Sequence, residues 1–399
     1  MSTTDRNVAY RQQAREWLSE HAPSYSGSVR EGLSVEDDLA LGKRWQRLKA
    51  ESGFAAITLP QEYGGAGGTE VEKAIFSEEE MRFDLPTAYF SISLGMPIPI
   101  MARYANDEQR NRHIPPAIRG EEIWCQLFSE PAAGSDLAAL RLAARRDGDG
   151  WRLNGQKLWT SWAQFSDFGV VVARTDPSVP KHAGLTYFYV DMKSTGISVR
   201  PVKLLSGNED VNEVFFDEVY ISDNQRLGDV GGGFRVAIDT LMIERYAVTD
   251  PAGYGPPLSA LIDLARQVGD GDKAAIDDGQ VRDEIARAYC EQQGLRIIHD
   301  RAVAALARGG EPGPEGAVRK LLSAASRQRI GALALDLAGV EGVSWSEGDA
   351  IRSHFSASWL DSPTLRIAGG TDEILRNTIA EHILKLPQDY RPDKGKPFN

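Results

Sequence analysis

The chain has 399 residues, 42% of them hydrophobic, and carries 45 basic against 57 acidic side chains for a formal charge of −12. That length can bury a large core split over two or three domains, and the acidic balance argues against a nucleic-acid or anionic-membrane surface. No stretch reaches membrane-spanning length and the first residues lack an apolar run of signal length, so a cytoplasmic protein without membrane insertion is expected.

Residues 1–122 read as an N-terminal α-helical domain. Apolar residues recur at three-to-four spacing from Ala9 to Leu18 and from Leu39 to Leu48, and Ile75 to Met81 continues the pattern. The glycine-rich stretch from Leu59 to Gly68 is followed by no Lys-Ser/Thr and preceded by no clean strand, so it is not a phosphate-binding P-loop. Asn106 followed by Asp107 and Glu108 caps a further helix, and Pro115-Pro116 with Gly120 closes the region. Cys125 and Cys290 form neither a disulfide framework nor metal-ligand spacing, so no metal is expected and a reducing compartment fits. Residues 123–229 change period. The runs Trp151 to Leu153, Gly169 to Ala173, Leu185 to Val190 and Val214 to Ile221 are rich in β-branched and aromatic residues, which predicts a small antiparallel β domain. Residues 230–388 return to helix as a C-terminal four-helix domain. Gly231-Gly232-Gly233 opens a long helix with Phe234, Ile238, Leu241, Arg245 and Val248 on one stripe, and Pro251 to Pro257 ends it. Later helices are expected at about 281–308, 315–338 and 372–385, and residues 389–399 read as a loosely held polar tail.

Two stretches of the β region carry the chemistry. In Gln126 to Asp136, Pro131 stops any helix, and Gly134-Ser135-Asp136 turns the chain. Bare N–H groups and the hydroxyls of Ser129 and Ser135 then lie side by side, as a flat polyanionic cofactor requires, although such a loop is often only a loop. The second stretch, Asn154 to Trp162, follows a hairpin-like turn at Asp147 to Gly150. Read together, QLFSEPAAGSD and NGQKLWTSW resemble the two flavin-binding signatures of the acyl-CoA dehydrogenase family, usually TEPxAGSD and GxKxWIT. The resemblance runs over nearly the whole chain and includes the loop at Leu59 to Gly68 and the passage from Arg112 to Pro131. It implies FAD, a CoA thioester substrate and an α+β fold of three parts: N-terminal helices, a middle antiparallel β domain and a C-terminal helical bundle. It implies that Gln126, Phe128, Ser129, Gly134 and Ser135 line the flavin, Ser135 also meeting substrate, and that Trp159, Thr160 and Ser161 pack near its ring. For Trp159 a core aromatic in a strand is the plain alternative.

Proton abstraction α to a thioester needs a carboxylate whose charged form is disfavoured by burial. Many members of the family keep this glutamate in a C-terminal YEGT turn. The matching turn here is Ile367-Ala368-Gly369-Gly370-Thr371, with Gly369 in the glutamate position. Isovaleryl- and long-chain-type members instead carry it on the long helix after the β domain, directly before an arginine, and this chain has Glu244-Arg245 there. Helical geometry puts Glu244 about 80° from the centre of the apolar stripe, on its flank. A solvated Glu-Arg pair is the bland alternative. The resemblance implies Glu244 as base, the Gly369 N–H as holder of the thioester oxygen, Arg245 and Gly370 against substrate, and Thr371 and Glu373 at the FAD nucleotide. Thr371 equally suits a helix N-cap.

Two patches that in the family reach a neighbouring subunit's FAD depart from pattern. Arg266 is a poor match to the first, and in the second, which includes Gly339, Asp336 stands where glutamine is usual. A homo-oligomer and a hetero-oligomer with a second dehydrogenase chain are therefore both expected, with an electron-transfer flavoprotein as the implied acceptor. A non-catalytic paralogue that scaffolds a partner, and a flavin monooxygenase on the same fold, are the competing readings.

Overall fold

The computed structural model describes residues 3–247, 258–270, 273–306, 308, 313–343, 350–393 and 395–398. The chain forms two units, one of residues 1–203, 209–247 and 390–399, the other of residues 204–208 and 248–389.

The first unit opens with helices α1 (Thr3–His21), α2 (Val35–Glu51), α3 (Glu70–Glu80), α4 (Ala88–Gly95), α5 (Pro97–Tyr104) and α6 (Asp107–Ile118). Capping side chains set several starts: Ser34 accepts from the Asp37 N–H, and Thr69 and Asn106 each close a reciprocal capping box. Pro115 and Pro116, expected with Gly120 to close the helical region, lie in the last turn of α6, which ends at Ile118 just before Gly120 at a φ of 71°. Each removes a backbone donor, and the turn persists because Ile114, Ala117 and Ile118 are buried on it. The loop at Leu59 to Gly68 closes on itself, the Gly67 N–H on the Leu59 carbonyl at 2.9 Å and the Gly68 N–H on that of Ile57 at 2.7 Å.

The sheet contains β1 (Trp124–Leu127), β2 (Ala143–Asp147), β3 (Gly150–Ser161), β4 (Phe168–Arg174), β5 (Leu185–Asp191), β6 (Ile197–Val202) and β7 (Val211–Ser222), in the order β1-β4-β2-β3-β7-β6 with β5 on β4. Most pairs are antiparallel, as the short runs suggested. The exceptions are β1, which runs parallel to β4, and a single parallel pair between β2 and β4. The long passage through the β2–β3 hairpin supplies the crossover that parallel pairing needs. Alternation along β4 serves two cores: Val170 and Val172 pack towards Ile100, Met101 and Ile114, whereas Val171 and Ala173 join Cys125, Leu153 and Val214 on the other face. Burial pushes the Cys125 thiol up to about 12, so it is inert filler.

Helix α7 (Gly233–Ala247) is fastened to this sheet. A Cβ at Gly233 would lie 2.4 Å from the Thr186 carbonyl carbon, so only glycine permits the approach. The Tyr187 and Thr240 hydroxyls are 3.1 Å apart, and Tyr104 of α5 donates to Asp239. The tail expected to be loose is docked: Asp393 pairs with Lys181 at 2.5 Å, the Phe398 N–H donates to the Val179 carbonyl, and the Phe398 ring lies 3.7 Å from the Arg174 guanidinium. Polar composition concealed that one aromatic anchor.

The second unit holds α8 (Leu258–Gln267), the two-residue strands β8 (Gly269–Asp270) and β9 (Lys273–Ala274), α9 (Gly279–Leu306), α10 (Glu315–Ala338), α11 (Ala350–Ile367) and α12 (Asp372–Thr378). Its core joins Leu261, Leu264, Ile330, Ala334 and Phe355. Residues 230–388 hold six α-helices among the described residues, α7 and α8 to α12, where four were expected, because α8 is short and α11 has a weak apolar signal. Ser356, Ser358 and Ser362 of α11 are buried, and Pro363 sits inside the helix. No helix among the described residues is long and apolar enough to cross a membrane.

Candidate active site

The two motif stretches meet through one charged pair and one backbone bond. Lys157, fully buried on β3, donates to the Phe128 carbonyl at 3.0 Å and to Glu130 at 2.9 Å. Glu130 also accepts the Arg141 N–H at 2.7 Å and the Leu142 N–H at 2.9 Å. One residue further along each stretch, the Leu158 N–H donates to the Ser129 carbonyl at 2.8 Å. Burial lowers the Lys157 ammonium to about 8 despite Glu130 beside it, so desolvation outweighs the pairing. The neighbouring Arg174 is lowered to about 10, again chiefly by burial, and its guanidinium holds the Leu140, Lys181 and Ala138 carbonyls. Neither Glu130 nor Lys157 was given a role from the sequence; the available signal was that they are the glutamate and the lysine of the two motif stretches themselves.

Leu158 turns away from β7 because the β3–β7 register slips between Lys157 and Thr160, giving β3 one extra residue. This bulge throws Trp159 outward, 54% exposed and at a φ of 63°. A bulky L-residue in the left-handed region costs about 1–2 kcal/mol, a strain typical of functional positions. The core-aromatic alternative for Trp159 is thereby excluded within this unit. Trp159→Asn, which tolerates that φ, is expected to leave the melting temperature of the flavin-free protein unchanged or slightly raised while lowering FAD retention. A loss of about 3–5 kcal/mol, as for a core aromatic, would contradict this.

The other first-unit positions present unused polar groups. The Gln126 Oε1 and Thr160 Oγ1 are buried with no hydrogen-bond partner among the described residues. Among the described residues the hydroxyls of Ser129, Ser135 and Ser161 make no hydrogen bond, whereas Asp136 is held by Lys181 at 2.7 Å. Gly134 has open space where a Cβ would sit, so nothing among the described residues requires glycine there. Phe128 contributes its carbonyl, its ring being buried edge-on to Tyr187 with centroids 5.8 Å apart. On α7 the backbone passes through positions 244 and 245 one turn beyond buried Thr240; the Glu244 and Arg245 side chains lie outside the described residues.

In the second unit, Gly369 and Gly370 follow α11 at φ of 66° and 100°. The Gly369 N–H donates to nothing among the described residues, and the Gly370 carbonyl accepts from Lys320 at 2.6 Å. Thr371 is the N-cap of α12, its hydroxyl accepting the Ile374 N–H at 3.3 Å, and Glu373 is exposed beside Arg376. Arg266 is exposed on α8 and pairs with Asp263 at 3.3 Å. Asp336 is exposed on the last turn of α10, where its carbonyl and Gly339 form the C-cap. No hydrogen bond or ion pair joins the Arg266 or Asp336 side chain to the two-glycine turn among the described residues.

Helices, sheet and helices in this order, with a strained tryptophan and orphaned polar atoms where the two motif stretches meet, define a flavoprotein fold. The family models for the acyl-CoA dehydrogenase N-terminal, middle and C-terminal domains match residues 4–121, 125–219 and 231–384. The chain is 34% identical over 393 residues to acyl-CoA dehydrogenase IpdE1 of Mycobacterium tuberculosis, covering 96% of this chain and 98% of that protein. It is 37% identical over 371 residues to acyl-CoA dehydrogenase FadE34 of the same organism, covering 92% of this chain but 48% of that longer relative. Among solved structures, the ChsE4-ChsE5 complex from Mycobacterium tuberculosis matches with a TM-score of 0.83 at 26% identity, over 98% of this chain and 100% of that one. The chain belongs to the acyl-CoA dehydrogenase family. It is an FAD-dependent oxidoreductase, and the orphaned Gln126 and Thr160 atoms, the unbonded serine hydroxyls and the open face at Gly134 fit a flat ligand rich in C=O and N–H groups.

Proposed function

We propose that this acyl-CoA dehydrogenase uses Glu244 to take the α-proton of its substrate while the Gly369 N–H holds the thioester oxygen. The observation carrying this reading is the two-glycine turn: the position of the YEGT glutamate has no side chain, and its N–H is unused within the described residues. When bound, FAD would supply the two-electron oxidising capacity that removal of the β-hydrogen requires. The chain's own part is threefold. Ser129, Ser135, Thr160, Ser161 and Gln126 hold and orient the cofactor; Gly369 stabilises the negative charge that develops on the thioester oxygen; Glu244 accepts the proton, with Arg245 and Gly370 against the acyl chain. Thr371 and Glu373 at the start of α12 would face the FAD nucleotide. Gly369 in place of the glutamate leaves room for a branched or bulky acyl group. Anaerobic mixing of the FAD-loaded protein with a panel of acyl-CoA thioesters tests this: bleaching of the flavin spectrum with release of α-tritium is the expected result. Rapid aerobic reoxidation with oxygen insertion would instead favour a monooxygenase.

The assembly is proposed to be hetero-oligomeric. Arg266 pairs with Asp263, and an exposed carboxylate at Asp336 would repel a pyrophosphate placed against it. The similarity to the ChsE4-ChsE5 complex supports a second dehydrogenase chain completing the FAD site. The chain expressed alone is expected to carry well under one FAD by its visible spectrum, and to fill on co-expression with such a partner. Near one FAD per chain would make it a homo-oligomer. An electron-transfer flavoprotein is the proposed acceptor and the cytoplasm the proposed location, in keeping with two unpaired cysteines.

A further inference from the structure

The turn at Ala368 to Thr371 has little of its own to fix it. Gly369 and Gly370 both sit at positive φ, and a Cβ at Gly370 would meet only ordinary contacts of 3.5 Å or more, so sterics alone leave its peptide planes free to rock. What restrains them comes from α10, fifty residues earlier. Lys320 is 5% exposed and its ammonium donates to the Gly370 carbonyl at 2.6 Å. Arg366, in the last turn of α11, pairs with Asp372 in the first turn of α12 and donates to Gln328 of α10 at 2.9 Å, bracing the two helices that flank the turn. The bracing pair sets the helix ends; only the lysine reaches the glycine carbonyls themselves among the described residues. Burying an ammonium is costly unless it is hydrogen-bonded, and here a charge-assisted bond is spent on a backbone carbonyl beside the unused Gly369 N–H.

We propose that Lys320 is a positioning residue for the dehydrogenation: by holding the Gly370 carbonyl it fixes the two-glycine turn so that the Gly369 N–H keeps its aim at the thioester oxygen. This rests on the reading of Gly369 given above. Preorganised donors contribute to catalysis through geometry, and a donor on a mobile turn loses most of its effect.

The test uses the FAD-loaded assembly and an acyl-CoA analogue that cannot lose a hydride, labelled with carbon-13 at the thioester carbonyl. Difference infrared spectra report the lowering of the carbonyl stretch on binding, which measures the hydrogen bond to that oxygen. The wild type is expected to show a clear downshift. In Lys320→Met at least half of that shift should be lost and kcat should fall about 10–100-fold with KM within about threefold, the pattern of an interaction used in the transition state. Lys320→Arg should restore much of both. Lys320→Gln, a shorter neutral donor, should fall between them and serves if the methionine variant does not fold. A full wild-type downshift in Lys320→Met or Lys320→Gln, even with a lower melting temperature or FAD content, would overturn the proposal and leave Lys320 a purely structural residue. No downshift in the wild type itself would instead remove the underlying reading of Gly369, a failure distinct from that of Lys320.

Discussion

Glu244→Gln is expected to lower kcat by about 10²–10⁴-fold, the usual contribution of a positioned general base, with FAD content and KM little changed. Glutamine keeps the size and hydrogen-bonding reach of the side chain and removes only the ability to take a proton. The helix that carries it is fixed independently of residue 244, by the close contact of Gly233 with Thr186, by Tyr187 against Thr240 and by Tyr104 on Asp239. A loss of rate would therefore not be a loss of fold, and circular dichroism and the flavin spectrum should match the wild type. Stopped-flow bleaching of the flavin by substrate reads the chemical step directly. A variant that dehydrogenates as fast as wild type in the intact assembly would strip Glu244 of the role and return it to a solvated helical charge. A wild type that is itself inert in every assembly would point to the scaffolding paralogue.

What could be read in advance follows from the range of the interaction involved. The helix start at Asn106 is written within four residues, and the two flavin stretches are contiguous in sequence, so both were legible, whereas the equally local caps at Ser34 and Thr69 were passed over. The Asp147 to Gly150 turn likewise closes the β2–β3 hairpin where its sequence says it should. Features that depend on distant partners were not legible. The bond from Lys320 to Gly370 spans fifty residues, and the docking of Phe398 on Arg174 spans far more. The outward turn of Trp159 depends on a register slip between two strands, which no local propensity encodes. Pro115, Pro116 and Gly120 mark the close of the helical region locally, and only the two residues by which α6 outruns Pro116 depend on buried neighbours supplied by the rest of the fold.

Lys157→Met should be the most damaging single change to the sheet, costing about 3–5 kcal/mol, because it leaves a buried carboxylate without its counter-charge. Glu130 would keep two of its three donors, the Arg141 and Leu142 N–H groups, while the Phe128 carbonyl would lose its lysine partner inside the fold. An unsatisfied buried carbonyl adds about 1–3 kcal/mol to such losses and loosens the loop that carries Ser129, so FAD should dissociate more readily as well. The double variant Glu130→Gln/Lys157→Met should recover at least half of the stability, since a neutral amide has no stranded charge. Thermal melts of the flavin-free proteins decide this, and a single-variant loss under about 1 kcal/mol would show that the pair does not hold the two stretches together. The pH dependence carries a definite sign. Lys157 sits at about 8 in the fold against an ordinary 10.5, with burial as the leading cause. Between those values the unfolded chain binds the extra proton, so the lysine's contribution to stability is complete above about 10.5 and is lost as the pH falls through about 8. The wild type should therefore gain on Lys157→Met as the pH rises from 8 towards 10.5, and a gap that stays flat over that window and narrows only above about 10.5 would mean that Glu130's attraction, rather than desolvation, dominates the site.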